Sequence, residues 1–287
     1  MKILVTGGTG LVGGRLIPRL VEAGHEVFAL TRSASSHGRL KALGASPVDA
    51  DLESRAPLSL PAVDSIVHAA ALFRFSGPRQ PYFRTNVDGT AALLKAAEKA
   101  GARTFVYISA AGIIMDDAGS AIRHADESAP TFPNHSSAYL ASKAQAEAIV
   151  LAANKPGFRT IALRPPAIWG PGDPFSRALP TAIKSGQFAF IDRGDYAFST
   201  CHVDNVVEAV QCALQRGEGG QASSSAIGNG RPSANSSRRW RSCRDCPSTG
   251  CARFPIGSLP RLAARSMPSG PSRGGKATRR FRARWCA

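Results

Sequence analysis

Three glycines spaced three residues apart, Gly7, Gly10 and Gly13, constrain this chain more than any other feature. They follow directly on the apolar run Ile3, Leu4 and Val5. They precede Leu11, Val12, Leu16, Ile17 and Leu20, which recur at helical spacing. The pattern predicts a buried strand, a tight turn and an amphipathic helix. In that setting each glycine has a physical role at a dinucleotide site. Gly7 permits the turn, Gly10 lets the backbone approach a pyrophosphate, and Gly13 lets the helix sit close to the strand. The helix start then offers free N–H groups and the positive end of a dipole to the phosphates. The alternative is an ordinary glycine-rich strand-to-helix turn.

A formal charge of +16 over 287 residues suggests nucleic acid until the charge is located. Residues 1–220 hold 22 basic and 19 acidic residues; residues 221–287 hold 14 and 1. The charge belongs to the tail, and no specific nucleic acid partner is expected of the nearly balanced core. No apolar run reaches the ~18 residues of a membrane span, and the N-terminus does not read as a leader. A cytoplasmic location and reduced cysteines are expected.

A second strand is expected at Glu26–Leu30, followed by Thr31, Arg32 and Ser33. An acid after this strand would bind a ribose 2′-hydroxyl. Arg32 can instead pair with a 2′-phosphate, with Ser33 as a further donor, which favours NADP over NAD while leaving NAD open. A solvated surface arginine is the alternative. A helix around Gly38–Gly44 and a strand near Pro47–Ala50 lead to Asp51 and Leu52, where the carboxylate either accepts an adenine amino group or closes a turn. A fourth strand, Ser65–His68, ends in the small residues Ala69 and Ala70, against which a cofactor can lie. His68 itself reads as a packed strand-end residue. A long helix over residues 80–100 carries Asn86, and a fifth strand, Thr104–Ile108, delivers Ser109 and Ala110. The loop from about Asp116 to Ser136 is long for a compact domain and reads as a substrate-side loop or a mobile one.

Tyr139 and Lys143 then fall four apart on an expected helix, so they share one face. The ammonium is expected to lower the phenol's pKa and make Tyr139 an acid/base group. An exposed helix pair is the bland alternative. A sixth strand, Thr160–Leu163, ends in Arg164 and Pro165; Arg164 reads either as a cofactor or substrate contact or as an ion-pair partner. A helix near Phe175–Ser185, a strand at Phe188–Ile191 and a helix to about Gln215, capped or braced by Asp204, complete the interpretable part.

Beyond Gly220 the apolar periodicity disappears. Residues 221–287 contain 13 Arg, 12 Ser and one acid, Asp245. The composition fits out-of-frame translation of GC-rich coding DNA, a basic disordered extension, or a zinc site from Cys243, Cys246 and Cys251, which lacks a fourth ligand. The expected division is therefore a cofactor-binding unit over 1–220 and a tail over 221–287, and no metal is expected.

Taken together, residues 2–216 resemble the extended short-chain dehydrogenase/reductase family, including its epimerases and dehydratases, dihydroflavonol reductases and 3β-hydroxysteroid dehydrogenases. The matching elements are Thr6 through Gly13, Asp51-Leu52, His68 through Ala71, Asn86 through Thr90, Tyr139 through Lys143, Arg164-Pro165 and His202 through Asn205, in the family's order. The resemblance implies an α/β fold, a Rossmann-type doubly wound parallel sheet with a small, incomplete C-terminal substrate region. It implies cofactor contacts at Thr6, Gly7, Gly10, Leu11, Val12, Gly13, Arg32, Asp51, Leu52, Ala69, Ala70, Asn86, Lys143 and Pro165. It also implies catalysis by Tyr139 with Lys143 on the ribose, a carbonyl or secondary-alcohol substrate, and a homodimer through the helices near 86–100 and 139–153. An epimerase or dehydratase acting on a nucleotide sugar is the runner-up, and a cofactor-binding protein with little catalysis the third reading. The family ends its fifth strand with two hydroxyl residues, of which the second reacts. Here that second position is Ala110, which leaves Ser109 to supply the hydroxyl only if the strand end shifts by one residue.

Overall fold

Side chains alternate along the first strand in a way that explains the whole architecture. The computed structural model describes residues 1–224 except 55, 75, 76, 121, 124 and 187–198, with the side chains of Phe175 and Arg177 also left aside. β1 (Lys2–Thr6) sends Ile3 and Val5 to one face and Leu4 to the other, all fully buried. A strand apolar on both faces belongs in the middle of a sheet covered on both sides. The neighbouring central strands repeat the division: Val67, Val106 and Leu163 join Ile3 and Val5, whereas Ile66, Phe105 and Ala162 join Leu4.

Among the described residues the sheet has seven strands, all parallel. β1 lies between β2 (Glu26–Thr31) and β4 (Ser65–His68). β3 (Ser46–Asp49) forms one edge, where Pro47 is tolerated because an edge strand has a row of groups unpaired in the ladder. On the other side come β5 (Thr104–Ile108), β6 (Arg159–Arg164) and β9 (Gln221–Ser224), giving the order β3-β2-β1-β4-β5-β6-β9. α1 (Leu11–Glu22), α2 (His37–Ala42) and α7 (Val203–Arg216) supply the core on one face. α4 (Gly89–Lys99) and α5 (Ala138–Ala152) cover the other. The direction of winding reverses between β1 and β4, so a crevice opens beyond their carboxyl ends. This is the doubly wound Rossmann-type arrangement expected from the sequence.

Three local features depart from the sequence reading. The helix expected over 80–100 is helical throughout but contains a π turn. α3 (Arg79–Phe83) runs into that turn over Arg84–Asp88 and then into α4. The Thr90 hydroxyl donates to the Asn86 carbonyl (2.6 Å) at this irregularity. The proline-rich segment after β6 contains a short strand, β7 (Ala167–Trp169), paired in parallel with β8 (Thr200–His202) and followed by α6 (Pro174–Lys184). The sheet also continues past Gly220: β9 pairs with β6 from Ile161↔Gln221 to Arg164↔Ser224. Its sequence, Gln-Ala-Ser-Ser, has no apolar alternation to announce a strand. Backbone pairing holds it, with Ala222 packed against the α4/α5 face. The strand expected at Phe188–Ile191, and the tail with Cys243, Cys246, Cys251 and Cys286, lie outside the described residues.

Candidate functional site

The glycine turn is built by close approach of backbone to backbone. Gly7 has φ +70°, and a Cβ there would lie 2.8 Å from the Ala70 nitrogen at the end of β4. A Cβ on Gly13 would lie 2.3 Å from the Gly7 oxygen, which makes Gly13 the tightest of the three. Gly10 is exposed, donates to the Gly7 carbonyl (2.9 Å) and caps α1 without a side-chain hydrogen bond. Early N–H groups of α1 therefore face the crevice without a capping side chain, and the cradle fits a pyrophosphate. Leu11 and Val12 are half-buried beside it.

A buried chain of hydrogen bonds holds this turn to its neighbours. Ala70 N–H donates to Thr6 Oγ1 (3.0 Å), and Thr6 Oγ1 lies 2.7 Å from His68 Nδ1. His68 Nε2 lies 2.9 Å from Thr90 Oγ1. Because the Thr90 hydroxyl donates to Asn86 O, it accepts from His68, so the proton sits on Nε2 and Thr6 donates to Nδ1. Burial, then the nearby Lys143 charge, lower the His68 pKa to about 3. His68 is thus a neutral bridge, as its strand-end position suggested. Asn86 is 2% exposed and its amide clasps Leu72: Oδ1 accepts from Leu72 N (2.7 Å), while Nδ2 donates to Leu72 O (3.2 Å) and to Ser142 Oγ (2.9 Å). Its side chain shapes the segment after Ala69 and Ala70 and ties that segment to α5.

At the adenosine end Arg32 is exposed. Thr31 Oγ1 accepts from Ser33 N (3.2 Å), and Ser33 and Ser35 share a hydroxyl contact of 2.7 Å. Arg39 reaches over the start of α1, its Nη2 3.9 Å from where a Gly14 Cβ would be. Asp51 is exposed and accepts from Glu53 N (3.0 Å), closing its own turn. Leu52 is buried beneath Gly89, at 3.0 Å from that residue's would-be Cβ. Pro165 is buried, and its carbonyl accepts from Ala111 N (2.8 Å).

α5 begins at its Ser137 cap and carries Tyr139 and Lys143 one turn apart on the sheet side. Tyr139 stands edge-on to Phe73, with centroids 4.9 Å apart. The Lys143 ammonium donates to the Ile108 carbonyl (2.5 Å) and lies 4.1 Å from the centre of the Tyr107 ring. One expectation is corrected here. Tyr139 is not made more acidic by Lys143: burial pushes its pKa up to about 12. Desolvation governs both groups, lowering Lys143 to about 7 against the opposing pull of Glu147.

Ser109 is 3% exposed and its Oγ is buried without a hydrogen-bond partner among the described residues, whereas Ala110, the next residue, is half-exposed. Arg164 is an ion-pair partner. It grips the buried Glu147 carboxylate and donates to the Glu127 carbonyl (3.1 Å), while Glu127 Oε1 accepts from Ser224 N on β9 (2.9 Å). Sequence reasoning missed Glu147 and Tyr107. Glu147, four residues beyond Lys143 on the same helix face, was the available signal. No group of metal-ligating side chains occurs among the described residues, and none of their helices is long and apolar enough to cross a membrane.

Comparison with known proteins agrees with this fold. The chain is 40% identical over 224 residues to a 4-hydroxy-2-methyl-3-oxo-4-farnesyl-3,4-dihydroquinoline-1-oxide ketoreductase of Stigmatella aurantiaca, covering 77% of this chain and 66% of that protein. It is 33% identical to a 3 beta-hydroxysteroid dehydrogenase/Delta 5-->4-isomerase of Mycobacterium tuberculosis, covering 72% and 58%. The chain thus spans about three fifths to two thirds of the length of these relatives. A dTDP-glucose 4,6-dehydratase of Bacillus anthracis, solved with NAD, shares the fold at TM-score 0.62 and 23% identity, over 80% of this chain and 76% of that one. The model of the 3-beta hydroxysteroid dehydrogenase/isomerase family matches residues 4–230, and the chain belongs to that family.

Proposed function

We propose that the protein is an NAD(P)-dependent oxidoreductase that reduces a ketone to a secondary alcohol, with Tyr139 as proton donor and Lys143 on the cofactor's ribose. The observation that carries this reading is the Tyr139 and Lys143 pair one turn apart on α5, with the Lys143 ammonium at the Ile108 carbonyl that ends β5 and Tyr139 edge-on to Phe73 just beyond β4. A protonated phenol at neutral pH suits donation to a developing alkoxide. The ketoreductase relative supports the same direction. A nicotinamide cofactor held by the turn of Gly7, Gly10 and Gly13 and by Lys143 would supply hydride to the carbonyl carbon, while Tyr139 donates its phenol proton to the oxygen. The tyrosinate then recovers its proton from solvent.

Arg32, with Ser33, Ser35 and Arg39, gives the adenosine end a basic and hydroxyl-rich surface without an acid after β2, which supports NADP over NAD. Phe73 and Met115 are 45% and 43% exposed, apolar surface that supports an apolar carbonyl substrate. Ala110 occupies the half-exposed position after β5, so Tyr139 acts without a second hydroxyl from that residue. Residues 1–220 would form the cofactor-binding unit and 221–224 extend its sheet. A dimer through α4 and α5 remains part of the proposal.

The test is turnover of apolar ketones with NADPH by the full chain, beside Tyr139→Phe. Turnover lost by at least about 100-fold in the variant, with NADPH still raising the melting temperature, supports the reading. Unchanged turnover in Tyr139→Phe sinks it. Turnover confined to nucleotide sugars would replace it with the epimerase or dehydratase reading. A larger thermal shift with NADH than with NADPH would overturn the cofactor preference.

A further inference from the structure

The floor beneath Lys143 is unusual in composition. Tyr107 is 1% exposed, and its hydroxyl is buried with no hydrogen-bond partner among the described residues. A phenol whose hydroxyl makes no bond is costly to bury, so the ring is the useful part of this side chain. The ring sits between His68 on β4 and Ala162 on β6, its partners in the sheet register. The His68 ring lies 5.6 Å away, tilted by 35°. On the other side Ala162 is small and fully buried. Above the ring is the Lys143 ammonium, 4.1 Å from its centre and bonded to the carbonyl of the very next residue, Ile108.

We propose that Tyr107 is a positioning residue for Lys143: its ring face and the Ile108 carbonyl together hold the ammonium, charged and directed, at the floor of the crevice. The inference rests on the reading that Lys143 binds the cofactor's ribose. A desolvated ammonium lacks water to stabilise its charge, and the negative face of an aromatic ring replaces part of that stabilisation. The other charged or titratable groups around it are Glu147 on α5, held by Arg164 from β6, Tyr139 on α5 and the neutral His68 on β4. Of these, Glu147 favours the charged form. It is already engaged by two nitrogens of Arg164, so the ring and the carbonyl remain as the direct contacts of the ammonium.

The experiment uses the full chain with position 107 as tyrosine, phenylalanine, graded fluorinated phenylalanines and leucine. Fluorination withdraws charge from the ring face while nearly preserving shape, so the series stays informative even where leucine fails to fold. The first readout needs no cofactor. The difference in melting temperature between each protein and its Lys143→Met counterpart is followed against pH, and its midpoint reports the ionisation of Lys143. The expected result is that Tyr107→Phe leaves the midpoint unchanged, while full fluorination or leucine moves it down by about one pH unit, a tenfold change in the ionisation equilibrium. Coincident midpoints across the fluorinated series would overturn the proposal. So would a shift caused equally by phenylalanine, because the hydroxyl would then be responsible.

The second readout is NADPH affinity by fluorescence titration. It should weaken as pH rises through neutral and track the first readout through the series. An affinity indifferent to Lys143→Met, with the ionisation midpoint still dependent on ring fluorination, would refute the ribose reading and leave the ring–ammonium relationship standing.

Discussion

Arg164 Nη2 lies 2.6 Å from Glu147 Oε1, and Arg164 Nε lies 3.1 Å from Glu147 Oε2, in a pair whose side chains are 7% and 3% exposed. The pair joins the carboxyl end of β6 to α5 one turn beyond Lys143. Arg164→Met leaves a carboxylate buried without its partner and is expected to cost about 3–5 kcal/mol. Arg164→Lys should also be costly, because an ammonium cannot reproduce the two-nitrogen grip. Adding Glu147→Met to Arg164→Met should restore part of the loss, since no orphaned charge remains. Chemical denaturation of the wild type, the two Arg164 variants, Glu147→Met and the double variant checks this, and a double variant as unstable as the sum of Arg164→Met and Glu147→Met would contradict it.

Gly13 and Gly10 should separate stability from binding. Gly13→Ala places a Cβ 2.3 Å from a backbone oxygen that cannot swing away, and a loss of about 2–3 kcal/mol is expected. Gly10→Ala meets only the Gly7 oxygen, at 3.2 Å, on an exposed turn. It should leave the melting temperature nearly unchanged while weakening NADPH binding. Equal thermal losses in the two variants would refute the distinction.

His68 links folding to acid. Its ordinary pKa of 6.5 drops to about 3 in the folded chain, so the unfolded chain binds the extra proton between these values. Stability from this group is present above pH 6.5 and is lost as pH falls toward 3. His68→Asn should lower stability at pH 7 by about 2 kcal/mol through lost hydrogen bonds to Thr6 and Thr90. It should also flatten the pH slope across that window. Denaturation midpoints from pH 7 to 4 provide the measurement, and parallel slopes would contradict it.

Lys143 acts in the opposite range. Its pKa falls from 10.5 to about 7 on folding, so stability should rise between pH 7 and 10.5 as the unfolded chain gives up the proton. Lys143→Met should stabilise the cofactor-free chain near pH 7 by on the order of 1–3 kcal/mol, with the gain shrinking toward pH 10.5. NADPH should then raise the variant's melting temperature less than the wild type's. Calorimetry across this pH range checks both signs.

Ala110→Ser tests the reading that a hydroxyl is missing beside Tyr139. Position 110 is half-exposed, whereas the Ser109 hydroxyl is sealed in the interior. A new hydroxyl at 110 should raise the turnover number by about tenfold or more, and Ser109→Ala should change it little. Steady-state kinetics on a ketone turned over by the wild type decide the matter, and the reverse ordering of the two variants would return the role to Ser109.

The central strands were legible because their chemistry is local. β5 over Thr104–Ile108 and β4 over Ser65–His68 are short apolar runs with no competing reading. β9 was not, because Gln221–Ser224 has no apolar alternation and is a strand only through pairing with β6. At Arg164 the ion-pair alternative depended on a partner distant in the chain, Glu147 on α5, whereas Asp51 accepts from the nearby Glu53 backbone, a contact that fits both of its readings.

By itself, the sequence determined the central strands, the glycine turn and the helices of the cofactor-binding unit, since glycine spacing, apolar period and an i, i+4 pair are short-range properties that chain geometry turns directly into a turn, a strand or a helix face. The tertiary structure alone decided the direction in which each titratable group of the site shifts. Whether Tyr139 is acidic, Lys143 charged or His68 neutral depends on how much water is excluded and which dipoles replace it. Those quantities arise only when β5, β6 and α5 close over one another, bringing Tyr107, Arg164 and Glu147 from distant parts of the chain to the floor of one crevice.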